Sequence, residues 1–177
     1  CLRTCGIWDD AYIVIARSVF IEEVWVKAKV DKPQGKSEKA HLEVSLLLDA
    51  DRERNVRAVC VVRGKNFACA PQTFEFDVRL ARGKQTRTLD FDLSDVHLWQ
   101  PWDRGFPHLY QVSTELAGAR ADTLFGFRSL RMESGYRFIL NGEPYFLRGS
   151  NYLPSQWLAE TLFAEANGER HPFGGGP

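Results

Sequence analysis

At 177 residues the chain has room for one domain, or for one domain flanked by pieces of its neighbours. A hydrophobic share of 44% can build a full core, which excludes a disordered chain. Lys plus Arg and Asp plus Glu both number 23, so the net charge is +0 and nothing electrostatic points to nucleic acid or an acidic membrane as partner.

In chain order, Tyr12-Ile13-Val14-Ile15 reads as one apolar strand with little around it. Alternation then takes over. Val24, Val26, Ala28 and Val30 share a face opposite Trp25, Lys27 and Lys29. The same pattern sets Leu42, Val44, Leu46 and Leu48 against His41, Glu43 and Ser45. Val56, Ala58, Cys60 and Val62 follow, then Phe74, Phe76, Val78 and Leu80. Leu89, Phe91 and Leu93 come next, then Tyr110, Val112, Thr114 and Leu116, and Phe125 with Phe127 closes the series. Period two with one apolar face predicts half-buried antiparallel strands.

Turn signals separate these runs. They are Lys32-Pro33-Gln34-Gly35, Asp49 to Asn55, Gly64-Lys65-Asn66, Arg82-Gly83-Lys84, Asp103-Arg104-Gly105 and Gly118. About seven short strands, each with one face to bury, predict an all-β, immunoglobulin-like antiparallel sandwich. Residues 94 to 107 break the alternation. Their Trp99, Trp102 and Phe106, set between Pro101 and Pro107, can either stack on sugar rings or plug the sandwich end. Phe138-Ile139-Leu140 and Tyr145-Phe146-Leu147 flank Asn141-Gly142-Glu143-Pro144, which predicts a β-hairpin. Residues 155 to 167 carry Trp157, Leu158, Leu162 and Phe163 at helical spacing and predict a short helical stub. GERHPFGGGP, residues 168 to 177, reads as a disordered tail.

The hairpin region also carries a resemblance. Asn141-Gly142-x-Pro144-x-Phe146-Leu147-Arg148-Gly149-x-Asn151 is similar to the junction of family 2 glycoside hydrolases, where a sandwich gives way to a catalytic (β/α)8 barrel. Three further matches stand in order: Gly6 to Ile13 (GIWDDAYI), Leu98-Trp99-x-Pro101 followed by Pro107-His108-Leu109-Tyr110, and Phe125-Gly126-Phe127-Arg128. The resemblance implies four segments. Residues 1–15 end a sugar-binding-type sandwich, 16–130 form the immunoglobulin-like domain, 131–167 hold the hairpin and the start of a truncated barrel, and 168–177 are the tail. It further implies a retaining exo-β-glycosidase as parent. Asn151-Tyr152-Leu153-Pro154 resembles the Asn-Trp-x-Pro of β-mannosidases and exo-β-glucosaminidases, with β-galactosidase or β-glucuronidase parents as the alternative.

No catalytic residue is expected within this chain. A retaining glycosidase needs two carboxyls about 5–5.5 Å apart. Asp9-Asp10 and Glu22-Glu23 are sequence neighbours, which point to opposite faces of a strand unless a bulge turns the chain. Asp90 and Asp92 share a face, but an exposed one. In the family resembled, one catalytic Glu follows an Asn, and this sequence has no Asn-Glu pair. Asn151 and Tyr152 are the residues expected to touch sugar, at the rim of the barrel, or else to be a plain turn. No metal site or cofactor is expected, because His41, His97, His108 and His171 lack ligand spacing.

If Gly64-Lys65 is a two-residue turn, Cys60 lies opposite Cys69 and a cross-strand disulfide is open to them; the other reading is two free thiols. The expected partners are neighbouring domains of the parent and its carbohydrate, with self-association of the excised piece, and neither nucleic acid nor membrane. No apolar run approaches the roughly 20 residues that span a bilayer. The first residues lack a signal-peptide centre, so a soluble chain is expected. A chain that starts at Cys1 rather than Met suits an internal piece of a longer protein. The competing function class is a free-standing carbohydrate-binding or adhesion module.

Overall fold

Alternating sequence becomes sheet here in the order the pattern predicts. The computed structural model describes residues 11, 13–30 and 36–151, with the side chains of 36–38 left aside. The strands are β1 (Val19–Val30), β2 (Lys36–Ala50), β3 (Arg54–Gly64), β4 (Gln72–Leu80), β5 (Gly83–His97), β6 (Tyr110–Leu116), β7 (Ala119–Phe125), β8 (Leu130–Glu133), β9 (Arg137–Leu140) and β10 (Glu143–Tyr145). One sheet runs β1-β2-β5 and a second β4-β3-β6-β7, all antiparallel. A small third sheet runs β10-β9-β8. The chain divides into two compact units, residues 1–145 and 146–177.

Each large sheet turns its apolar face to the other. Leu42, Val44, Leu46 and Leu48 of β2, Ala58 and Cys60 of β3 and Val112, Thr114 and Leu116 of β6 are all buried. Phe74 of β4 stacks on Phe91 of β5 with ring centroids 4.2 Å apart, which ties the two sheets together. Burying one such side chain contributes about 1.5–3 kcal/mol. The exposed pairs on the outer faces, such as Lys27–Glu43 and Arg57–Glu75, contribute little, because water and salt screen them. The inner faces therefore decide the fold.

β1 contains a device that the sequence only allowed for. Ile21 pairs with Leu48 and Glu23 with Leu47, so Glu22 is an extra residue. The bulge switches the inward positions from odd (Val19, Ile21) to even (Val24, Val26, Ala28, Val30), and both Glu22 and Glu23 face solvent.

Two hairpins close on two-residue turns whose residues all have positive φ. Ala117 and Gly118 (49° and 81°) join β6 to β7, and Asn141 and Gly142 (50° and 87°) join β9 to β10. That is the backbone of a type I′ turn, matched to the twist of the strands.

Several expectations need correction. The terminal hairpin is shorter than expected: Phe138 pairs with Tyr145, and Phe146 and Leu147 lie beyond the strand. It is joined by β8, a four-residue strand whose residues are all exposed. Ile13, Val14 and Ile15 form no strand and are exposed, since a lone strand without a partner cannot complete its hydrogen bonds. The turn at Lys32–Gly35, the helical stub at 155–167 and the tail at 168–177 lie outside the described residues. Among the described residues no helix is long and apolar enough to cross a membrane.

Gly64-Lys65 does not make a two-residue turn. Cys60 faces Phe74 on β4 and Thr114 on β6, not Cys69, and both cysteines are free thiols. The connection widens so that Phe67 can enter a ring cluster with His97, His108 and Tyr110, at 5.3, 4.8 and 4.9 Å. Gly64 permits this, because a Cβ there would stand 2.3 Å from the carbonyl oxygen of Phe67. The Gly64 amide donates to Cys69 Sγ at 3.1 Å.

Candidate functional site

The chain leaves β5 and reaches β6 through Leu98–Leu109, and this crossover meets the terminal meander. Trp99 is held at both ends of its backbone. Its N–H donates to the Phe127 carbonyl at 2.8 Å, and its carbonyl accepts from Asn141 Nδ2 at 2.9 Å. Gly126 lies beneath its ring, where a Cβ would come within 2.9 Å of Trp99 Cβ. The Arg128 guanidinium sits 5.2 Å from the Trp99 ring centre, a cation–π distance. Beside this stack a cleft of about 390 Å³ opens, lined by Val26, Ala28, Leu109 and Phe125 with Trp99 and Arg128.

Asn141 joins three segments. It is 3% exposed, although it sits on a turn. Its backbone N–H donates to the Ser129 carbonyl at 2.8 Å, its Oδ1 accepts from the Ser129 N–H at 2.9 Å, and its Nδ2 reaches Trp99. A buried amide with both ends satisfied fixes a geometry that an apolar side chain would leave loose. Sequence reading took Asn141 as a turn former; nothing local announces a partner 42 residues away.

The other face of the crossover carries the imidazoles. His108 Nδ1 lies 3.0 Å from the Leu98 carbonyl, and the His97 N–H donates to the Tyr110 hydroxyl at 2.8 Å. Burial pushes the Tyr110 phenol up to about 12, partly opposed by that N–H. Trp99 and Leu98 thus anchor the crossover, whereas Trp102 is 85% exposed and Phe106 is also exposed. Of the two tryptophans in the aromatic loop, Trp99 packs at the sandwich end and Trp102 is presented to solvent.

Among the described residues, the neighbouring acids read from the sequence, Glu22 with Glu23 and Asp90 with Asp92, lie on exposed strand faces. Glu22 pairs with Lys84 at 2.8 Å, which holds the Lys84 ammonium above its ordinary range. Asp90 and Asp92 flank His41 on the outer face of the first sheet, at 3.6 and 2.9 Å. Asp9 and Asp10 lie outside the described residues, as does Tyr152. Asn151 is exposed and belongs to no strand or helix. Burial raises the Cys60 thiol, and the Thr114 hydroxyl 3.5 Å away partly offsets this; that suits a core thiol rather than a nucleophile.

The sequence model of the family described as glycosyl hydrolases family 2 matches residues 19–128. The chain belongs to this family. The family 2 match covers β1 to β7 and ends at Arg128, on the Trp99 ring. Among solved structures, the chain is similar to a β-D-mannosidase from Dictyoglomus thermophilum, at 19% identity and TM-score 0.61 over 77% of this chain and 18% of that one. It is similar to a family 2 glycosyl hydrolase from Bacteroides cellulosilyticus DSM 14838, at 22% and 0.61 over 74% and 18%. A putative β-galactosidase from Bacteroides fragilis aligns at 27% and 0.52 over 69% and 18%. The first two likenesses show the fold alone. The chain spans 18% of the length of each of these three proteins. No curated protein matches it.

Proposed function

We propose that this chain is the non-catalytic sandwich of a larger family 2 glycosidase. It would space and orient a preceding sugar-binding-type domain against a following catalytic barrel. The observation that carries this reading is the way the acids are placed. Glu22, Glu43, Glu75 and Asp92 each sit on an exposed strand face beside a Lys, Arg or His. That is an outer-surface arrangement rather than a cleft holding two convergent carboxyls. The stapled crossover and meander suit a spacer, because they stiffen the end from which the chain leaves the sandwich.

The whole protein would be a retaining exo-β-glycosidase. Asn151-Tyr152-Leu153-Pro154 favours a β-mannosidase-like parent, with Asn151 and Tyr152 at the sugar rim. The 27% identity to a putative β-galactosidase favours a second reading, a β-galactosidase parent. Neighbouring domains and the parent's carbohydrate would be its partners, and the excised piece would self-associate through surface those domains cover.

The test is hydrolysis of nitrophenyl β-mannoside, β-galactoside and β-glucuronide by this chain and by its full-length parent. Turnover is expected from the parent alone, with the preferred sugar choosing between the two readings. Turnover by this chain, lost on Glu22→Gln or Asp92→Asn, would refute the spacer role.

A further inference from the structure

Ile13, Val14 and Ile15 lead towards β1 as an apolar run that, among the described residues, no strand pairs with. Ile13 is 92% and Ile15 90% exposed. A run in this state keeps branched aliphatic side chains in water and leaves its main chain unpaired. The residues just before it, Asp9 and Asp10, are acidic. Elsewhere the same chain carries a slot of complementary character. β1 is an edge of the first sheet and β7 an edge of the second, and the two lie side by side. The cleft of about 390 Å³ takes its walls from both, with Val26 and Ala28 of β1 and Phe125 of β7. Val26 and Ala28 point inward yet are only half-buried, whereas Leu42 and Val44 on the neighbouring β2 are fully buried. Arg128 lines the cleft over the Trp99 ring, and among the described residues it has no ion pair.

We infer that residues 9–15 of one copy add as a strand to the free edge of β1 in a second copy, with Ile13 and Ile15 in the cleft and Asp9 on Arg128. Strand addition supplies the missing main-chain bonds on both sides, and alternate side chains supply the fit. Period two sets Asp9, Ala11, Ile13 and Ile15 on one face of such a strand and Asp10, Tyr12 and Val14 on the other. The first face is apolar with an acid at one end, as the cleft is apolar with a guanidinium at its wall. Asp10 falls on the outer face, where Lys27 and Lys29 of β1 are exposed. The chain's own run is too short a tether to fill its own cleft. Val26 lies seven residues along β1 from Val19, about 23 Å away. Ile15 is four residues from Val19 and reaches about 14 Å at most. A second copy has no such limit, and reciprocal exchange of the two runs closes the contact in a dimer. This rests on the self-association proposed above and names its surface; the spacer role is separate.

The test is sedimentation velocity of the whole chain over a series of concentrations, with circular dichroism to check that each variant folds. A mass that rises towards twice that of the chain is expected. Ile13→Ser, on the inward face, should weaken association about tenfold or more, whereas Val14→Ser, on the outward face, should change it little. Ile13 and Val14 lie outside every strand, so neither change should disturb folding. Asp9→Lys and Arg128→Glu should each weaken association, and the two together should restore it, because the reversed charges pair again. A chain that stays monomeric throughout would overturn the inference. So would association that Ile13→Ser leaves unchanged, or that Val14→Ser weakens as much, which would mark a merely sticky run rather than an aligned strand. A double variant no tighter than either single one would overturn it too. Hydrolysis is not read in this experiment, so its failure leaves the spacer reading standing.

Discussion

Replacing Asn141 tests whether one amide holds the crossover to the meander. Asn141→Gly keeps the backbone free to hold φ 50° and removes both side-chain bonds, at 2.9 Å each. The Ser129 N–H and the Trp99 carbonyl lose these partners, at about 1–3 kcal/mol each. Water admitted by the missing side chain offsets part of this, so about 2–4 kcal/mol is expected. Asn141→Ala adds roughly 1 kcal/mol for a Cβ in the left-handed region. Asn141→Asp keeps the acceptor for Ser129 but aims a carboxylate at the Trp99 carbonyl. That acid would titrate above its ordinary range when folded. Its penalty should therefore be small below the unfolded pKa and grow as pH rises through the folded one. The assays are urea unfolding of the variants, with Asn141→Asp at acid and neutral pH, and hydrogen exchange at the Ser129 amide. A loss of about 3 kcal/mol should speed that exchange about a hundredfold through local opening. Unchanged Ser129 exchange in Asn141→Gly, or no pH dependence in Asn141→Asp, would refute the latch.

Two further outcomes follow from the same end of the sandwich. Gly126→Ala should cost about 1–3 kcal/mol in urea unfolding, because the new methyl meets the Trp99 side chain at 2.9–3.2 Å, with a matching change in Trp99 fluorescence. The Tyr110 phenol is raised from 10 to about 12 in the fold, so folding loses stability as pH climbs through that window. Tyr110→Phe should abolish this alkaline loss in thermal melts between pH 9 and pH 12, while costing about 1 kcal/mol at neutral pH for the bond to the His97 N–H.

The core strands were legible because one physical rule governs them. β2 to β6 each bury one face, so period two survives in Leu42–Leu48, Ala58–Val62 and Leu89–Leu93, and the observed burial follows it. Gly118 and Asn141-Gly142 were legible as turns because few residues tolerate positive φ, whereas nothing in the sequence marked Ala117 for its φ of 49°. Phe67 was not legible: its ring partners lie 30 to 43 residues on, around the β5–β6 crossover, and packing on them widens a loop that looked like a tight turn. β8 was missed because Leu130-Arg131-Met132-Glu133 alternates over only four residues, too short a run to stand out, and none of the four is buried. The crossover aromatics were read as a group, but Gly126 admits only Trp99 to the packed side. For Asn151 and Tyr152 the motif spoke and local physics did not, since no burial or pairing acts on Asn151.

Asn141 grips only main-chain atoms, the Trp99 oxygen and the Ser129 amide and carbonyl. Such a clasp is blind to the side chains at the points it holds. Mutations can therefore accumulate along the crossover without re-aiming the strands beyond it, much as a bracket bolted to the frame ignores a change of panelling.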